Sequence, residues 1–118
     1  MSGRLTTHVL DISTGKPARD VHIELWAFNA SNQLEKRIES KTNQDGRVDS
    51  PLLEGETMKM GVYQLQFHIG DYFRVTEQKE WASFLNVVPI QFTISNDQEH
   101  YHVPLLIAPG GYSTYRGS

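Results

Sequence analysis

The stretch VHIELWAF, residues 21–28, alternates with period two: Val21, Ile23, Leu25 and Ala27 share one face, and His22, Glu24, Trp26 and Phe28 the other. Such a run reads as a half-buried strand. The scheme recurs along the chain. GVYQLQFHI (61–69) sets Tyr63, Leu65, Phe67 and Ile69 against Gln64, Gln66 and His68, and PIQFTIS (89–95) gathers Ile90, Phe92 and Ile94. YHVPLLI (101–107) gathers Tyr101, Val103, Leu105 and Ile107. Between these runs lie DISTGKPARD, NASNQ, NQDGR and APGG, each carrying the Gly, Pro, Asn or Asp that turns require. Asp45-Gly46 is the strongest hairpin signal among them. Short strands at about ten-residue spacing predict an antiparallel β-sandwich.

One segment breaks the pattern. RVTEQKEWASF (74–84) has no alternation, opens with Thr76 as an N-cap, and places Glu77 in the first turn. Trp81, Phe84 and Leu85 at i, i+3 and i+4 give it a short apolar stripe, so one short helix is expected at the edge of the sandwich.

Length and composition bound the rest. The 118 residues suffice for one domain with its own core, expected to span 1–118. The net charge of −3, with both signs interleaved, leaves no basic stripe for nucleic acid. The absence of cysteine excludes disulfides, thiolate metal sites and a thiol nucleophile. No run approaches the roughly 18 apolar residues of a membrane span, and no apolar stretch of signal-peptide length precedes the first strand, so a cytoplasmic protein is expected.

Five histidines draw attention by position. His100 and His102, two apart in a predicted strand, project from the face opposite Tyr101 and Val103. Two histidines on a solvent-facing sheet are the ordinary reading; a metal site would need a third ligand that the local sequence does not name. His8 lies in the first strand with Thr6 and Leu10 on its face. His22 and His68 sit on polar faces without an assigned role. Arg47 directly follows the Asp45-Gly46 turn, which can aim its guanidinium at an anion with little entropy loss. Ser118, the last residue, offers a hydroxyl and an α-carboxylate together if it is ordered. No nucleophile elbow, P-loop, dinucleotide fingerprint or H-E-x-x-H motif occurs.

Four blocks, in order, carry a resemblance that covers Leu5 to Ser118: LTTHVLDISTGKPA, NQDGR, HYHVPLLIAP and the ending YSTYRGS. The chain resembles the transthyretin-related 5-hydroxyisourate hydrolases, and Tyr115-Arg116-Gly117-Ser118 is the specific part of the match. The resemblance implies a prealbumin-type sandwich of two four-stranded sheets, assembled as a homotetramer whose central channel forms the active sites. It places the catalytic set on His8, Arg47, His102 and Ser118. It puts His8, Arg47, Tyr115 and Ser118 at substrate-binding positions, with Tyr115 lining the channel. It implies hydrolysis of 5-hydroxyisourate to 2-oxo-4-hydroxy-4-carboxy-5-ureidoimidazoline in urate breakdown, with no metal or organic cofactor. Ala108, where a serine is common, and the Gly110-Gly111 pair are mild departures at one loop. The alternatives are a transthyretin-like carrier holding an aromatic ligand in the channel, and a metal-binding domain built on His100 and His102.

Overall fold

The computed structural model of the chain describes residues 3–76 and 84–117. Nine strands run in the order β1 (Arg4–Asp11), β2 (Lys16–Pro17), β3 (His22–Phe28), β4 (Leu34–Lys41), β5 (Leu53–Glu54), β6 (Gly61–His68), β7 (Val87–Ile94), β8 (Tyr101–Ala108) and β9 (Gly111–Thr114). A helix, α1 (Ile69–Thr76), follows β6 directly. No helix among the described residues is long and apolar enough to cross a membrane.

The strands form two sheets. The first has the order β2-β1-β8-β9, with β5 also pairing to β1; the second has the order β4-β3-β6-β7. The alternation in the sequence becomes the division between core and surface. Leu5 and Val9 of β1, Ile23 and Leu25 of β3, Leu65 and Phe67 of β6, and Leu105 and Ile107 of β8 are fully buried in one cluster. Each such side chain contributes about 1.5–3 kcal/mol of transfer free energy.

Several features depart from what local patterning suggests. The first sheet gains a fifth strand because the two-residue β5 closes against the start of β1. The β1–β8 pair is parallel, with Leu5 opposite Tyr101 and Asp11 opposite Ile107. Its two strands come from opposite ends of the chain, so no tight turn constrains their direction.

The helix begins seven residues before the predicted N-cap: Ile69, expected to continue a strand, starts it, and Thr76 is its last residue. Ile69 and Phe73, at i and i+4, are buried and dock it on the core. Trp81, the centre of the expected stripe, lies outside the described residues.

The Asp45-Gly46 turn is not a two-strand hairpin. The Asn43 N–H donates to the Arg47 carbonyl at 2.7 Å, and the turn doubles the chain back so that Arg47 bridges to His8 of β1. Gly46 is required there twice over. Its φ is +73°, and a Cβ would stand 2.5 Å from the Val9 carbonyl oxygen.

Candidate active site

Parallel register sets Thr6 opposite His102 and His8 opposite Pro104. Leu5, Thr7 and Val9 turn into the core, so Thr6 and His8 turn out; His102 turns out between buried Tyr101 and Val103. His102 is thereby held between the other two. The Thr6 Oγ1 lies 2.7 Å from its Nδ1, and its Nε2 lies 2.7 Å from Nδ1 of His8. The two imidazoles stack with centroids 4.8 Å apart and planes 27° from parallel.

The backbone supports this row. Thr7 Oγ1 donates to the Val103 carbonyl at 2.6 Å, locking the two strands on the core side. Arg47 bridges to His8 through its main chain, and its side chain is exposed. Burial comes first in lowering the pKa of His8 below its ordinary value, followed by the charges of His102 and Arg47. Burial likewise lowers His102, with Arg47 second. Both rings are therefore disposed to be neutral near pH 7.

The chain's final residues are tied to the same strand. Gly117 N–H donates to the His102 carbonyl at 2.7 Å, forming an isolated bridge. A Cβ on Gly117 would come within 2.8 Å of His102 Cδ2, so only glycine allows this approach. Arg116 anchors the segment: Nη2 donates to Glu99 Oε1 at 3.0 Å and to the His100 carbonyl at 3.1 Å, and its guanidinium lies 4.1 Å from the Tyr101 ring centroid.

His8, Arg47 and His102 are thus brought together. Ser118 lies outside the described residues, though its neighbour Gly117 abuts His102. Tyr115 is exposed and lines a cleft of about 360 Å³ with Phe92, Tyr101 and Arg116; among the described residues no hydrogen bond or ring contact joins it to the histidine pair. His100 precedes β8 rather than belonging to it, and is exposed. Among the described residues His100 and His102 gather no third metal ligand; the one such group, His22, Glu24 and His68, stands on the other sheet. A cleft of about 450 Å³ lined by His22, Glu39 and Leu52 lies elsewhere, and His8 and His102 are half-buried.

Two residues of the site escaped the sequence reading. Alternation puts Thr6 on the His8 face, but its contact with His102 depends on a pairing across 96 positions. Gly117 carried no signal except its place in the terminal motif.

The sequence profile of the HIUase/Transthyretin family matches residues 5–117. The 5-hydroxyisourate hydrolase of Halalkalibacterium halodurans is 54% identical over the whole of both chains. Among solved structures, the 5-hydroxyisourate hydrolase of Klebsiella pneumoniae matches with a TM-score of 0.81 at 37% identity, covering 98% of this chain and 99% of that one. Sea bream transthyretin in complex with thyroxine matches with a TM-score of 0.87 at 23% identity, covering 97% and 94%; at that identity the likeness concerns the fold alone.

Proposed function

From the premise that this chain belongs to the HIUase/Transthyretin family, we propose that it hydrolyses 5-hydroxyisourate, and that His8, His102, Arg47 and Ser118 carry the reaction. The observation that carries the mechanism is the row Thr6–His102–His8, joined by two 2.7 Å contacts. Relatives named as hydrolases at high identity favour this reading over a carrier.

The row admits two proton arrangements. When Thr6 accepts from His102 Nδ1–H, His102 Nε2 accepts from His8 Nδ1–H, and Nε2 of His8 is left as a free base. When Thr6 donates instead, each proton shifts one place, and His8 Nε2 carries a hydrogen. One row therefore supplies both functions that amide-type hydrolysis needs: a base for the attacking water, then an acid for the departing ring nitrogen. Positioned proton transfer of this kind is worth roughly 10²–10⁴-fold. Arg47 would bind the electron-rich ring and stabilise the oxyanion that forms as water adds to the carbonyl. Ser118 would close the site with its hydroxyl or carboxylate, and Tyr115 would flank the ring.

The assembly in this proposal is a homotetramer with the open face of the first sheet turned toward other copies. Support comes from that side of the molecule: the half-buried histidine pair turns away from the core, and Tyr112 and Tyr115 are 44% and 57% exposed in one chain. A cytoplasmic location belongs to the same proposal and is checked by fractionating expressing cells.

The test is an ultraviolet time course in which urate oxidase generates the substrate in place, because 5-hydroxyisourate also decays unaided. The protein should accelerate decay, and His102→Ala should abolish the acceleration while keeping its circular dichroism spectrum. Unchanged decay with intact protein would overturn the hydrolase reading. A tag fused after Ser118 should slow turnover far more than one before Met1; equal rates would remove Ser118 from the mechanism.

A further inference from the structure

A second histidine group lies on the outer face of the other sheet, built from three neighbouring strands. His22 and Glu24 share one face of β3 two residues apart, His68 ends the adjacent β6, and Glu39 of β4 stands directly opposite Glu24. The ring centroids of His22 and His68 are 4.8 Å apart. His68 Nε2 is 3.4 Å from Glu24 Oε1, and His22 Nε2 is 3.8 Å from Glu24 Oε2 and 3.6 Å from Glu39 Oε1. One ligand atom from each of His22, Glu24 and His68 can be chosen so that all lie within 4.8 Å of one another.

We propose that His22, Glu24 and His68 form a three-ligand binding site for a divalent transition metal of the zinc class.

The separations carry the argument. Two donors bound at about 2.0–2.1 Å to one tetrahedral ion stand about 3.4 Å apart, and the two histidines stand 3.4 and 3.8 Å from Glu24. Imidazole with carboxylate suits zinc, copper or nickel, whereas calcium and magnesium select oxygen-only sets. The donors sit on paired strands, so little order must be gained on binding.

Glu24 and Glu39 face each other across β3 and β4, a like-charge pair that calls for a cation between them. Lys36 meets that demand: its ammonium lies 3.2 Å from Glu24 Oε2 and contacts Glu39. Its flexible stem lets the ammonium swing away when a metal enters. Access is open, because His22 and Glu39 line the 450 Å³ cleft. No residue of the group belongs to the proposed hydrolytic row.

The experiment is calorimetric titration of the chelator-stripped full chain with Zn²⁺, and of the same protein with Co²⁺ to read the visible band of a tetrahedral ion. One equivalent per chain should bind. His68→Ala and Glu24→Gln should each weaken it at least about tenfold, a loss of about 1.4 kcal/mol or more. Lys36→Met should tighten it, a gain that misfolding cannot imitate. His102→Ala should leave it in place. Absence of stoichiometric binding, or binding lost in His102→Ala but kept in His22→Ala and His68→Ala, would overturn the proposal.

Discussion

Gly117 shows how little room the site has. Its missing side chain lets the chain pass against the His102 ring, and an added Cβ would meet Cδ2 at 2.8 Å. Gly117→Ala should therefore displace either the terminal segment or the imidazole, and kcat/KM should fall by about tenfold to a hundredfold. The thermal midpoint should barely move, since the contact is peripheral to the core; an unchanged rate constant would show that this approach has no part in turnover. The histidines themselves give a pH prediction. Lowered pKa values keep both rings neutral at a pH where a free imidazole, near 6.5, begins to charge. The acid limb of kcat/KM should consequently lie below 6.5, with apparent values that belong to the pair. The same sign applies to stability: the unfolded chain takes up protons that the folded pair refuses, so these groups subtract stability as pH falls through 6.5 and below. Replacing Arg47 with Gln should move the NMR titrations of His8 and His102 upward, because one lowering charge is gone.

At the scale of elements, the end of β1 is fixed by Asp11. Its buried carboxylate accepts from Ser13 N at 3.0 Å, from Ser13 Oγ at 2.5 Å and from Tyr72 Oη at 2.9 Å. The Tyr72 contact joins β1 to α1 and so links the first sheet to the second. Tyr72→Phe should cost about 1.5–3 kcal/mol in urea unfolding, the range for a hydrogen bond to a charged group. It should leave kcat near its original value, because His8 keeps its register with β8. A fall in kcat equal to that of a His8 variant would mean that α1 positions the site. Elements are also where sequence reading was strongest. Period-two alternation located β3, β6, β7 and β8 and named most of their core residues, missing Val88 of β7, since burial on one sheet face is a local demand on the chain. It failed at Ile69, where an apolar residue in step with a strand begins a helix: the period continues one residue past the backbone's change of course.

For the whole molecule, local pattern ran out where contacts become distant. His8 and His102 could be named through the family resemblance, and alternation set His102 on the face opposite Tyr101 and Val103. Their contact could not, because it spans 94 positions and depends on a parallel pairing that no turn announces. Thr6 was invisible for the same reason. If four chains assemble as proposed, specific activity should fall on dilution in step with particle mass in sedimentation experiments. Activity that persists in a dissociated chain would show that one sheet face suffices.

The parallel pairing of β1 with β8 also has a bearing on how the protein is made. The second sheet uses strands from residues 22–94 and can begin to zip as its hairpins emerge from the ribosome. β1 is synthesised well before its long partner, which appears some 90 residues later; at about 5–20 residues per second that is an interval of roughly 5–20 s. Throughout it, Leu5 and Val9 belong to a strand whose principal neighbour does not yet exist. The nascent chain is thus most exposed to mispairing at β1, where a holding chaperone would act.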